Sequence, residues 1–290
     1  MALIAICGGE CGLVRTTAGN TGTHWGAENV GGGNLAISTT VVRSGARSHV
    51  ITDPGATIFN GWQTGPFTSG TTKVWREYIH FTTLPNADCI IAHFDYAGSS
   101  AGIGFKQADS KLYAAVEIAG VITFGATGVS VTTGVYYRCD MKTVGSVTAG
   151  TVDMQVDGTA CGQATGAFAS ANATTPNRGS NGVSITGTWY YDDGAYSETA
   201  GDYPIGAGFV YAYVPVSDGT HNVAGVGDFG RTLTGTDIDN TTTTAWQLVD
   251  ALPHIATDIS AVECITITAP PNATDYVQCV FGPAPSSSAV

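Results

Sequence analysis

Asp192 and Asp193 close the aromatic run Trp189-Tyr190-Tyr191 and precede Gly194. Of all residues in the chain, their type and spacing are the most suggestive of chemistry. Two carboxylates can flank a glycosidic bond or hold a cation. Glycoside hydrolysis needs them roughly 5–10 Å apart on either side of the sugar bond. Residues i and i+2 of a strand share a face, so a hydrolase strand would read Glu-x-Asp-x-x-Glu or similar. No such run exists, and Glu77, Glu117 and Glu198 stand alone. The chain is therefore expected not to be an enzyme, and no catalytic residue is assigned. Calcium needs six to eight oxygens. Asp153 and Asp157 could add two to the acid pair if their hairpin lies beside it. The competing reading, that these acids cap turns at a sandwich edge, is the favoured one. No cofactor or metal ligand is assigned, and calcium is the one ion these acids could serve. A sugar-binding shelf would draw on Trp62, Trp189 and Tyr196, although large aromatics in a sandwich usually belong to its core.

Other chemistry-bearing residues are dispersed. His24, His49, His80, His93, His221 and His254 are scattered. His80 and His93 fall in strand-like runs and could be neighbours, but two imidazoles without a third ligand make no zinc site. Gly31-Gly32-Gly33 lacks the Lys-Ser/Thr of a phosphate loop. Asn172, Asn240 and Asn272 begin glycosylation sequons, which a Thr-rich chain produces by chance. Seven cysteines cannot all pair within the chain. Cys7 and Cys11 are spaced like half a zinc site with no second half nearby. Cys139 and Cys161 are symmetric about Gly150, and Cys264 and Cys279 about Pro271-Asn272. Each of these two pairs could face each other across antiparallel strands. In a reducing compartment such thiols are more often small buried apolar groups than bridges.

The composition suits strands that would position such groups. The 290 residues include 39 glycines and 43% hydrophobic residues. That is enough apolar matter for a large core, with turn formers between β-branched runs. Charged residues make up 12%, about half the usual ~25%, as on a face covered by neighbouring subunits or on a neutral extracellular β-protein. The formal net charge is −12, from 11 basic and 23 acidic residues. Phosphate neutralisation needs cations, so nucleic acid is not an expected partner. Anionic membrane surfaces are excluded on the same ground. No basic leader precedes the apolar residues 3–6, and no run approaches the ~20 apolar residues of a membrane helix.

Alternating apolar residues spaced by turn signals predict an all-β sandwich. Strands are expected near residues 3–7, 35–37, 74–81, 89–94, 102–106, 112–119 and 121–124. The strongest hairpin is 136–147 with 152–156, followed by an Asp157-Gly158 turn. Residues 162–181, polar and rich in Ala and Gly, are expected as a loop. Strands follow at 183–187, 188–192 and 209–216, and a last hairpin joins 262–268 to 276–281. The organisation expected is a Gly-rich N-terminal arm (1–33), a sandwich (34–216), and a C-terminal β appendage with a loose Pro/Ser-rich tail (217–290).

Four stretches in this order carry a resemblance: the turn at 43–48, the hairpin at 136–158, Tyr190-Tyr191-Asp192-Asp193, and Asp202-Tyr203-Pro204-Ile205-Gly206. Together they resemble the concanavalin A-like (laminin-G-like) jelly roll of structural proteins of tailed bacteriophages, a match that covers residues 34–216 and extends loosely to 290. The resemblance implies a non-enzymatic virion protein assembled in the host cytoplasm, a capsid decoration or minor head protein. Its partners would be capsid or tail subunits in a homo-oligomer or symmetric array. The alternative it leaves open is a carbohydrate-binding adhesion module of the tail, holding a host surface glycan by loops near Asp157 and Asp192.

Overall fold

The computed structural model describes residues 3–7, 25–29, 34–45, 47–55, 60–64, 70–173, 175–181 and 184–208. It also describes five short strands at 215–218, 229–231, 236–238, 265–267 and 279–281. The chain divides into two units, one of residues 1–10 with 14–210 and one of residues 11–13 with 211–290.

The first unit is a jelly-roll β-sandwich of two antiparallel sheets. One sheet runs β14 (Thr159–Ala160), β13 (Gly150–Val156), β12 (Tyr136–Val144), β6 (Thr72–Thr83), β17 (Thr186–Ser197), β4 (Ser48–Pro54) and β3 (Asn34–Ser38). β1 (Leu3–Cys7) also pairs with β17, and β15 (Ala164–Gly166) with β13. The other sheet runs β10 (Val121–Phe124), β9 (Lys111–Ile118), β8 (Ser100–Lys106), β7 (Cys89–Asp95), β16 (Thr175–Asn181), β5 (Asn60–Thr64) and β2 (Trp25–Asn29), with β11 (Val129–Ser130) on β9. Thus both described strands of the stretch expected as an N-terminal arm, β1 and β2, pair into the sandwich.

Strand pleating sends alternate side chains inward. Trp75, Ile79 and Phe81 of β6 meet Trp189 and Tyr191 of β17, Met141 of β12, and Phe94, Ile103 and Phe105 of the facing sheet. All are buried to within 1%. At the edge β9–β10, Ala119 and Gly120 both have positive φ, as the expected tight turn requires. Asp157 and Gly158 make the same kind of turn after β13.

Three expectations are corrected. Residues 162–181 are not a loop: they include β15 and the interior strand β16, between β7 and β5. Its sequence, Thr175-Pro176-Asn177-Arg178-Gly179-Ser180-Asn181, lacks apolar alternation because its buried side chains are polar and meet polar partners. Cys139 does not face Cys161. The hairpin turn is centred between Val147 and Thr148, so Cys139 stands opposite Val156. Cys161 lies past the next turn, and both thiols are free. Of the strands expected at 183–187 and 188–192, residues 186–192 run without a break in one strand, β17.

The second unit contains two small sheets. One joins β18 (Pro215–Asp218) to β22 (Cys279–Phe281); the other joins β20 (Thr236–Ile238), β19 (Phe229–Arg231) and β21 (Ile265–Ile267). The described parts of the expected 262–268/276–281 hairpin therefore lie in different sheets. Of the last sandwich strand expected at 209–216, residues 215 and 216 fall in β18, which pairs with β22 instead. Cys11 and Cys264 lie outside the described residues, and with them the Cys7/Cys11 spacing and the Cys264/Cys279 pairing.

Candidate functional site

The acid pair sits on a β-bulge. Asp192 stands opposite Tyr78 and Ala195 opposite Arg76, so Asp193 and Gly194 together face Glu77 alone. Neighbours in a regular strand point to opposite faces. An extra residue breaks that alternation, and Asp193 takes a left-handed backbone, φ 51°. Both carboxylates consequently reach the turn at Arg43 and Ser44. Asp192 Oδ2 accepts the Arg43 N–H at 2.8 Å, and Asp193 Oδ1 accepts the Ser44 hydroxyl at 2.6 Å. The Arg43 guanidinium pairs with Asp193 Oδ2, donates to Gly208 O at 2.9 Å, and lies 3.4 Å over the Tyr78 ring. From β6, Arg76 donates to the Asp193 carbonyl at 3.1 and 2.8 Å and to Gly206 O at 3.2 Å. A Cβ on Gly208 would lie 2.2 Å from Arg76 Nη1, so a side chain there would push the guanidinium aside. Gly206 N donates to Asp140 Oδ1 at 2.9 Å, while Asp140 Oδ2 accepts Arg138 Nε at the same distance. The four motif stretches thus meet in one clasp across the outer face of β12, β6 and β17.

Asp153 and Asp157 do not join the pair. Three strand steps of about 4.8 Å separate β13 from β17, roughly 14 Å in all, far beyond the span of one calcium shell. Asp153 instead pairs with Lys142 at 3.0 Å and accepts from Gln163 Nε2 at 2.7 Å. Asp157 caps Arg138 N at 2.9 Å. Among the described residues no group of three His, Cys, Asp or Glu side chains is placed to hold a metal ion. Trp189 and Tyr196 are buried core residues and form no shelf; the Trp62 side chain lies outside the described residues. His80 and His93 sit on different sheets. His80 packs against Tyr136 and Tyr190, and His93 bonds to Asn177 at 3.2 Å. Gly98-Ser99-Ser100-Ala101-Gly102 fits the Gly-x-Ser-x-Gly pattern, which sequence reasoning had wrongly taken to be missing. A nucleophile elbow is a strand-to-helix turn; this one joins β7 to β8, and Ser100 is buried in strand pairing with Asp95 and Glu117.

A second polar system, unsignalled by any motif, lies between the sheets. Arg178 of β16 donates in bidentate fashion to Glu77 of β6, at 2.6 Å from Nε and 2.9 Å from Nη2. Both side chains are fully buried. Trp75 Nε1 donates to the same carboxylate at 3.0 Å, and Arg178 Nη1 meets His49 Nδ1 of β4. Burial pushes the Glu77 carboxyl up to about 7 against the pull of Arg178.

The six buried carboxylates among the described residues, Asp53, Glu77, Asp140, Asp192, Asp193 and Asp202, all accept bonds from the protein itself. Burial, with the neighbouring Asp193 charge, raises the Asp192 carboxyl from 3.8 to about 8. A carboxyl raised in this way favours the fold while protonated. That contribution is complete below 3.8 and is lost as the pH rises through about 8. Asp193→Asn tolerates the left-handed backbone and keeps an oxygen for Ser44, but removes the like charge. Urea midpoints taken between about pH 5 and about pH 8 should therefore decline less steeply in this variant than in the wild type. An unchanged slope would mean that the Asp193 charge does not govern Asp192.

No family model matches the chain, and no curated protein matches it. Among solved structures it is similar to the cellulose induced protein Cip1, at 18% identity and TM-score 0.46, over 61% of this chain and 92% of that one. It is also similar to domain 4 of AbnA, a GH43 extracellular arabinanase from Geobacillus stearothermophilus solved with arabinotriose. Identity there is 14% and the TM-score 0.46, over 68% of this chain and 92% of that one. A third is the catalytic domain of a glycoside hydrolase family 131 protein from Coprinopsis cinerea, at 10% and 0.38, over 57% and 78%. At these identities and scores no ligand or activity of these proteins transfers to this chain.

Proposed function

We propose that this chain is a non-enzymatic structural protein of a bacteriophage particle, a decoration or minor head protein that acts by binding the capsid surface. One observation supports a binding role over a catalytic one. The residues that carry the sequence resemblance, Arg43, Ser44, Asp140, Asp192, Asp193 and Gly206, are bonded to one another as a clasp. Carboxylates committed in this way hold loops in place and leave no pair facing an open substrate. The virion assignment itself rests on the order of those motifs in the sequence. A sparse-charge surface suits subunit contacts, which bury about 1,600 Å² at standard size, and an array would multiply modest contacts by avidity.

The alternative is a carbohydrate-binding tail module. Asp157 is exposed at a loop, as that reading needs, but the burial of Trp189 and Tyr196 removes two of its three stacking residues. Antibody labelling of purified particles under the electron microscope separates the two. Label over the heads is the expected result, label at the tail tip would transfer the proposal to the adhesion reading, and unlabelled particles would overturn both.

A further inference from the structure

Arg178, Glu77 and His49 meet in the core, all within 3% of full burial. Arg178 comes from one sheet; Glu77 and His49 come from the other. A guanidinium only donates hydrogen bonds and stays protonated. His49 Nδ1, in contact with Arg178 Nη1, must therefore be the acceptor, and its ring must be neutral. A proton on Nδ1 would set two donors and two positive charges against each other where water cannot screen them. We propose that the His49–Arg178–Glu77 contact is a proton-sensitive latch between the two sheets, which acid opens by protonating His49 and releasing Arg178 at β4 and β16.

Among the described side chains around the contact, Glu77 is the carboxylate that bonds Arg178. β17 contributes Tyr191, whose ring lies 5.6 Å from Arg178 Cζ. β12 places Cys139 across from Glu77, and β7 contributes Cys89 and His93, the latter bonded to Asn177. On β6, Arg76 flanks Glu77 but donates to the Asp193 carbonyl. Asp53 on β4 is engaged by Ser180 Oγ at 2.6 Å and by Gly55 N. Burial and the Arg178 charge both hold the His49 ring well below its usual value. A depressed histidine contributes stability that is full above 6.5 and lost as the pH falls toward its folded value. Glu77, raised by burial, acts in the opposite sense, so wild-type behaviour alone does not isolate the latch.

His49→Asn does isolate it, because the asparagine carbonyl can accept from Arg178 at any pH. Urea unfolding of the full chain would be followed from about pH 7 to about pH 5. On unfolding, wild type should take up more protons than the variant, an excess that grows from about a quarter of a proton at pH 7 to about one at pH 5. His93 and Glu77 are present in both proteins and cancel in the comparison. Equal proton uptake in a folded variant would overturn the proposal. Should the variant fail to fold, imidazole NMR of the wild type decides instead. A His49 ring that stays neutral until β4 and β16 amides lose exchange protection supports the latch, and one that titrates near 6.5 in an intact fold overturns it.

Discussion

Arg178→Met is expected to lower the unfolding midpoint by about 6–20 °C. The substitution strands the Glu77 carboxylate in the core, and breaking a buried pair by removing one partner costs about 3–5 kcal/mol. Each kcal/mol shifts the midpoint by about 2–4 °C in a domain of this size. The fluorescence of Trp75, which bonds to Glu77, and of buried Trp189 would report the transition. Two further features identify the cause. The deficit should be largest in mild alkali and narrow toward neutral pH, since a Glu77 without the pull of Arg178 takes up its proton above about 7. The double variant E77L/R178M should recover most of the loss, since apolar groups of similar volume often replace buried ion pairs at little cost. A double variant no better than R178M would mean that shape at this site matters more than charge.

Trp75→Ala is expected to cost about 3–5 kcal/mol, in the range of large aromatic truncations. Trp75 lies edge-on to Phe94 of the facing sheet, centroids 5.4 Å apart, and 4.8 Å from Tyr196 beyond the bulge. Its indole also donates to Glu77. Trp75→Phe retains most of the packing and loses the donor, so about 1–3 kcal/mol is expected there. Calorimetry on both variants separates cavity from hydrogen bond; equal losses would assign the whole effect to the bond. The R178M and W75A effects should not add, because both act on Glu77.

The sandwich was legible where polarity alternates. Residues 74–81, 112–124 and 136–158 announce strands and tight turns through local pattern alone. β16 did not, because its inward residues Arg178 and Ser180 are polar and are matched by Glu77 and Asp53, more than a hundred positions away in sequence. A one-dimensional pattern cannot show that a polar residue will find its partner. The same limit hid His49. The acids at 192–193 were visible as a pair, but two neighbours on a strand give no hint of a bulge that turns both toward Arg43 and Ser44. The favoured reading of Trp189 and Tyr196 as core holds, though both reach the inner face only because the bulge resets the phase between them.

The pairing of β1 with β17 bears on how the chain is made. Leu3 lies against Ser197, so β1 must wait for β17, which is made far later. Central β6 likewise gains its neighbours β12 and β17 only from much later sequence. Contacts so distant in the chain make for slow folding and for a long interval with strand edges uncovered. Synthesis through residue 197 therefore precedes completion of this sheet, and nascent chains stopped before that residue should remain protease-sensitive.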